Sequence, residues 1–374
     1  MGKRESGGTP PDDGAPAPLL EALESYLHSK GKGPGGESGN YRRNAERELR
    51  AFVEFLAARG VARLGDIDAL TLRTYVREAL LGRDLQPATV RKYYDYVSAW
   101  IGWAQREGLV ARHYGIQQTA TEPLPDTDTR TEDRQQTWRR GHRKRLLSAL
   151  DERAEDALDR AGTSAYAATR DRALAYLLAY SGVRGAELLA VSADDRRDGA
   201  SWADVGDGYA SIDVLGKSQR WERRSVPPQA RPALERWETV LQPEPDWPLV
   251  PSFHYPSLYG VLPDEVDTDT LAGYDDVFTA VRDYDRRPPA LTTDGARRLF
   301  KRLTEQAGID VDEGYLKLHG ARRGVGRVLA LQQGADAAAD QLGNSVAVVE
   351  ESYSDVLAAE RAEKTGDAFD EHGG

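Results

Sequence analysis

Apolar residues recur at helical spacing along most of this chain. Leu49, Phe52, Val53 and Leu56 follow the i, i+3, i+4, i+7 rule of a single buried stripe. Val90, Tyr93, Val97, Trp100, Ile101 and Ala104 repeat it, and Gly60 and Gly108 stand just beyond the two stripes, where helices stop. Between them the pattern predicts a further helix over 66–81, and Gln86-Pro87-Ala88-Thr89 opens one over 89–106. Residues 19–116 therefore predict a small all-helical domain.

Apolar residues then thin out over 117–136, where Pro123, Pro125 and alternating Thr and Asp predict an exposed linker. A second domain, 137–374, is again mostly helical, with helices expected over 139–154, 168–180, 231–241, 294–307, 321–332, 336–342 and 346–353. Ser345 is placed to cap the last of these, with Val348 and Val349 turned inward. The period changes only over 209–215 and 221–226, which predict one antiparallel strand pair around Gly216-Lys217-Ser218. Residues 250–289 read as an irregular acidic insertion. The fold class is mainly α with a small antiparallel β-sheet.

Composition narrows the function classes. A length of 374 residues is enough for two cores, and no apolar run approaches the ~20 residues of a membrane span. Residues 1–18 are rich in Gly, Pro and Asp without an apolar centre, which predicts a disordered leader and a cytoplasmic protein. Absence of cysteine excludes disulfides, thiol chemistry and iron-sulfur clusters, and the six histidines are scattered without metal-ligand spacing.

The net charge of −11 is a poor credential for a nucleic-acid binder, whose affinity rests on cations that displace counterions from phosphate. The acid is concentrated over 194–207, 264–276 and 360–371, however, whereas 41–112 carries more basic than acidic residues. Arginine greatly outnumbers lysine. Excess acid, scarce Lys and no Cys look like adaptation to high intracellular salt, as in haloarchaea; a GC-rich genome would also favour Arg over Lys.

Five kinds of polar group stand out as chemistry. Arg184 follows Gly182, which breaks an apolar helix, so its planar fork of donors is projected from a turn and suits two phosphate oxygens. Lys217, at a hairpin tip, is the only lysine between Lys144 and Lys301. An ammonium can donate a proton to a leaving oxygen, which a guanidinium effectively cannot. His319 and Arg322 share one face of a helix's first turn, where the positive helix terminus adds to an anion site. Gln341-Leu342-Gly343-Asn344-Ser345 then leads, nine positions after Asn344, to Tyr353.

In this order the set resembles the tyrosine recombinases and integrases of the Xer type. The matching phrases are Gly182-Val183-Arg184 with Glu187 and Leu188, Gly216-Lys217 followed by Arg224-Ser225-Val226-Pro227, His319-Gly320-Ala321-Arg322, and Leu342-Gly343-Asn344-Ser345 before Tyr353. Departures are Ser218 for a second glycine, Arg323 and Ala321 for the usual His and Leu, and Asn344 for a histidine or tryptophan. The resemblance implies a helical, SAM-like core-binding domain that clamps double-stranded DNA, including the helix with Trp100 and Trp103, followed by a catalytic domain.

It further implies site-specific DNA breakage and rejoining, with Tyr353 as nucleophile forming a 3′-phosphotyrosyl link. Arg184, Arg322, His319 and Asn344 would stabilise the transition state and Lys217 would protonate the 5′ oxygen. Neither ATP nor metal is implied, nor any other cofactor; four protomers would assemble on two duplexes, with Val356 to Ala359 in a tail exchanged between neighbours. A catalytically weakened DNA-binding relative, argued by Asn344 and the acidic charge, and a type IB topoisomerase are the alternatives.

Overall fold

The computed structural model describes residues 17–32, 36, 39–127, 136–160, 165–217, 219–274, 276–354, 357, 358 and 362. The expected leader up to residue 16, part of the expected linker (128–135), Ser218, Val356, Ala359 and most of the acidic end lie outside them. The chain divides into two compact units, Met1–Thr129 with Ala193–Arg196, and Arg130–Ser192 with Arg197–Gly374.

The first unit is helical, with α1 (Ala17–Lys30), α2 (Asn40–Ala57), α3 (Ala69–Tyr75, extended by a wider turn over Val76–Leu80), α4 (Pro87–Arg106) and α5 (Gln118–Thr121). The expected stripes form its core: Leu49, Phe52, Val53 and Leu56 of α2 meet Val90, Val97, Trp100 and Ile101 of α4. Gly60 and Gly108 close their helices with φ of 73° and 72°, the left-handed region that a side chain disfavours. Tyr94 rather than Tyr93 is buried, and it donates to Gly115 O at 2.8 Å. Pro87 starts α4 two residues earlier than expected, because proline fits a first helical turn.

The linker expected over 117–136 is corrected at both ends. Residues 118–121 form α5, with Ala120 fully buried and Leu124 packed against the same core. Gln136 is buried in the second unit, where its side chain donates to Tyr315 O at 2.7 Å and accepts from Lys317 N at 2.5 Å. Lone small or polar residues anchor these ends, so no apolar period marks them.

The second unit is built around α7 (Ala165–Ser181), which is buried on most of its faces and packs against α6 (Arg140–Arg160), α9 (Arg231–Leu241) and α14 (Leu318–Leu342). The short α8 (Gly185–Leu188) follows α7 directly. The strand pair is β1 (Ser211–Leu215) and β2 (Trp221–Ser225), antiparallel, with Ile212 opposite Arg224 and Val214 opposite Glu222. Opposed residues share a sheet face, so the buried Ile212 and Val214 carry Arg224 inward with them.

The expected insertion over 250–289 is instead part of the core. It forms α10 (Tyr255–Tyr259), α11 (Thr268–Leu271) and α12 (Val277–Asp283), and buries Leu258, Leu262, Phe278 and Val281 in the main cluster. These helices are too short to display a 3.6-residue stripe. Helix α13 (Thr293–Gln306) is capped by Thr292, whose hydroxyl accepts from Gly295 N at 3.0 Å, and Gly308 closes it. Within α14 the helix resets at Gly334, φ 87°. Helix α15 (Val346–Ser352) has its Ser345 cap, but only Val349 faces inward; Val348 is exposed, being one position round the helix.

The stretch before α6 lies directly on α14. Trp138 donates through its backbone N–H to Gly320 O at 3.0 Å and through its indole to Lys317 O at 2.9 Å. A Cβ on Gly320 would come within 3.1 Å of Gln136 O, and one on Gly324 within 2.7 Å of Trp138 O. Backbone atoms cannot step aside as a side-chain end can. Gly324→Ala should therefore lower stability by about 1–3 kcal/mol in urea unfolding. Gly141→Ala, in α6 with no heavy atom near its Cβ, should leave stability unchanged or raise it by about 0.5–1 kcal/mol; equal midpoints for the two variants would refute the close packing.

Candidate active site

Helix α7 ends at Ser181 because Gly182 takes φ +67°, and a Cβ there would also meet Leu342 Cδ2 at 2.7 Å. The turn makes Arg184 the residue before α8. Its backbone N–H donates to Glu187 Oε2 at 2.8 Å, its Nη1 to Glu187 Oε1 at 2.7 Å and its Nη2 to Asn344 Oδ1 at 3.0 Å. Glu187 is buried and Arg184 partly open.

Arg322, in the first turn of α14, is only 3% exposed. Its Nη1 donates to Gly182 O at 2.8 Å, and its Nη2 to Leu342 O at 2.5 Å and Asn344 Oδ1 at 2.9 Å. One amide oxygen thus bridges both guanidiniums. Guanidiniums only donate, so the amide oxygen must face them, and the Asn344 amide nitrogen is left as the end that can donate to a ligand. Among the described residues Arg184 spends two of its five donors on side chains, and Arg322 three on the protein, so both retain donors for an anion. Burial, and then the neighbouring charge of Arg184, lower the Arg322 pKa to about 10; it stays protonated at neutral pH.

A third guanidinium was not assigned a role from sequence. Arg224 of β2 is 5% exposed, with Nη2 2.5 Å from Glu222 Oε2 and 3.5 Å from Glu187 Oε1. Its signal was its place in the Arg-x-Val-Pro phrase, opposite an apolar strand position. Gly343 admits it: a Cβ there would lie 2.0 Å from Arg224 Nη1, and the φ of +58° already favours glycine. Three guanidiniums therefore surround two carboxylates, and Arg224 Nε is buried without a partner among the described residues. The site is short of negative charge.

His319 stands one turn before Arg322 on α14. Burial of the ring, then the charges of Arg323, Arg322 and Arg184, push its pKa down to about 4. Solvent reaches the residue, which weakens the burial contribution, but the guanidiniums act in the same direction, so the imidazole is neutral at pH 7. Tyr353, just after α15, is 8% exposed, and its phenol makes no hydrogen bond among the described residues. It seats against Gly326, where a Cβ would lie 2.2 Å from Oη, one turn beyond Arg322 on the same helix face. Burial raises its pKa, while Arg322 and Arg323 counter this.

The structure thus brings Arg184, Arg322 and Asn344 into contact, with His319 one turn before Arg322 on α14 and the Tyr353 phenol, from beyond α15, seated against Gly326 one turn after it. It does not bring Lys217 to them. Lys217 is exposed at the β1–β2 tip, without a hydrogen bond or ion pair among the described residues. Arg197 ties the tip end of the hairpin to α8 by donating to Leu215 O, Gly216 O and Ala186 O at 2.7, 2.6 and 3.0 Å. Among the described residues no group of three or more His, Cys, Asp or Glu is placed to hold a metal, and no helix is long and apolar enough to cross a membrane.

A mostly helical unit with one small two-stranded antiparallel sheet is also the fold of the solved integrases that this chain resembles. No family model matches the chain. Over 229 residues, 59% of this chain, it is 29% identical to tyrosine recombinase XerC of Mycobacterium bovis and of Mycobacterium tuberculosis; it spans 64% of the length of these curated relatives. Among solved structures it resembles a lambda integrase(75–356) dimer bound to a COC′ core site, with TM-score 0.55 and 15% identity over 89% of this chain and 93% of that one. A lambda integrase tetramer bound to a Holliday junction gives TM-score 0.53 and 15% identity over 91% and 83%. XerH recombinase bound to its difH substrate gives TM-score 0.53 and 15% identity over 89% and 80%. Over part of its length the chain is thus similar in sequence to tyrosine recombinases, and its fold is similar to that of the solved integrases.

The bridging amide yields a test with opposite signs for stability and activity. Asn344→Asp places a carboxylate between two guanidiniums and should raise the urea midpoint, because hydrogen bonds to charged groups gain about 1 kcal/mol or more over neutral ones. It should also occupy the donors that an anion would use. Trapping on a nicked DNA substrate should therefore fall further than in Asn344→Ala, where loss of one donor costs about 10²-fold. An aspartate variant that cleaves as well as wild type would remove this residue from the site.

Proposed function

We propose that the protein is a site-specific DNA strand transferase of the recombinase and integrase type. The observation that carries this is the pair Arg184 and Arg322 sharing the Asn344 oxygen, with unspent donors and a deficit of negative charge, one helical turn from the Tyr353 seat. Such a clamp fits the two non-bridging oxygens of a phosphodiester. Tyr353 Oη would attack phosphorus and pass its proton to the neutral His319 imidazole or to water, the bond to the 5′ oxygen would break, and that oxygen would take a proton from Lys217. One phosphodiester is exchanged for one phosphotyrosyl bond, so rejoining needs no nucleotide hydrolysis.

His319, neutral at pH 7, would donate a hydrogen bond to the phosphate or accept one from the phenol. Lys217 would need the hairpin tip, which Arg197 holds at Leu215 and Gly216, to shift toward the clamp when DNA binds. Double-stranded DNA is the partner, and four protomers on two duplexes is the assembly we favour, in line with the solved lambda integrase tetramer on a Holliday junction. The cytoplasm, where DNA lies, is the proposed location.

The test is a suicide substrate nicked beside the scissile phosphate. Tyr353→Phe should bind it with wild-type affinity and give no covalent complex. Lys217→Ala should cleave normal DNA poorly and recover when sulfur replaces the bridging 5′ oxygen, since a thiolate leaves without a proton. Covalent trapping of the phenylalanine variant, or a wild-type chain that never traps, would overturn the assignment; the latter with intact binding would instead establish the weakened relative.

The charge of −11 supports adaptation to high salt as a further part of the proposal. Circular dichroism over a potassium chloride series should show the fold weakening in dilute buffer, where the acids repel unscreened, and cleavage should persist at molar salt. A chain equally folded in dilute buffer would identify an ordinary acidic protein.

A further inference from the structure

Helix α6 begins where the site begins, and its charge is arranged against its own stability. From Arg139 to Arg145 the chain reads Arg, Arg, Gly, His, Arg, Lys, Arg, and no acid occurs from 136 to 150. The acids come later, as Asp151, Glu152, Glu155, Asp156 and Asp159. A helix N-terminus is electropositive and favours acids, so crowding cations there and acids towards the other end is the unfavourable order. Such an order needs a reason outside the helix.

The neighbouring residues supply one. Arg143 stacks over the Tyr180 ring at 5.3 Å and Arg145 donates to Gly308 O at 3.1 Å, so these two are held by the protein. Arg139, Arg140 and Lys144 are exposed and have no ion pair among the described residues. They follow directly on Trp138, which is pinned by two hydrogen bonds to the α14 turn bearing His319 and Arg322. Three unpaired cations thus continue the positive clamp across the surface of a chain whose overall charge is negative.

We propose that the first turns of α6, through Arg139, Arg140 and Lys144, are the track on which the DNA backbone is held beside the clamp. The inference rests on the strand-transferase reading and adds where phosphates flanking the scissile one are neutralised. These contacts are to phosphate, so they contribute affinity and placement but no base preference.

The experiment is the binding of full-length protein to duplex DNA over a salt series, for wild type and the Arg139→Gln/Arg140→Gln/Lys144→Gln variant. The slope of log affinity against log salt should become shallower by about 2 to 3, and affinity should fall by at least about tenfold equally on unrelated sequences. Arg160→Gln, which removes a cation from the far end of the same helix, should leave the slope unchanged. The thermal midpoint of the triple variant should hold or rise, since it loses cations from a positive helix end, so misfolding would be visible separately. A wild-type slope in the folded triple variant would overturn this inference alone; wild type that shows no salt-dependent DNA binding would overturn the strand-transferase reading with it.

Discussion

One buried carboxylate organises this site. Glu187 receives the backbone and the guanidinium of Arg184 and lies within 3.5 Å of the guanidinium of Arg224, joining the α7–α8 turn to the β-hairpin. Removing one partner from a buried ion pair costs about 3–5 kcal/mol because the other is left uncompensated, so neither element can move far from Glu187. Asn344 then extends the network to Arg322 without adding a negative charge. A neutral acceptor holds two cations in register yet leaves them electrostatically unsatisfied, which is the condition an anionic ligand relieves.

The glycines of the site answer to the same geometry. Gly182 and Gly343 both take left-handed φ, and both are approached so closely, by Leu342 and Arg224, that a side chain would displace the neighbour. They let the ends of α7 and α14 meet, and that meeting places Arg184, Arg322 and Asn344 together. Gly326 does the same for the phenol. Tyr353 rests in a small cluster with Val325, Leu342, Val349 and Leu357, separate from the main core. A side chain held by a satellite cluster can leave its seat at far lower cost than one held by the core, which suits the nucleophilic role proposed for Tyr353.

The acidic composition and the cationic site are reconciled by locality. Coulomb interactions are screened within about 8–10 Å in ordinary salt, so net charge matters less to a phosphate at the clamp than the guanidiniums beside it. Glu222 and Glu187 are committed to Arg224 and Arg184, and the acids of α6 lie at the end away from Trp138.

Sequence alone determined the helical stripes of α2 and α4, the stop at Gly182, the His-x-x-Arg turn and the Ser345 cap. Each is written in a local period or a short spacing, because helix faces and turn chemistry are set within a few residues. Tertiary structure decided the rest. Arg224 faces inward only because hairpin register places it opposite Ile212, and Asn344 becomes a bridge only because the ends of α7 and α14 converge. Ala120 and the short helices over 250–289 enter the cores without any stripe, since burial of a few residues per element is settled by what they pack against and leaves no period to read.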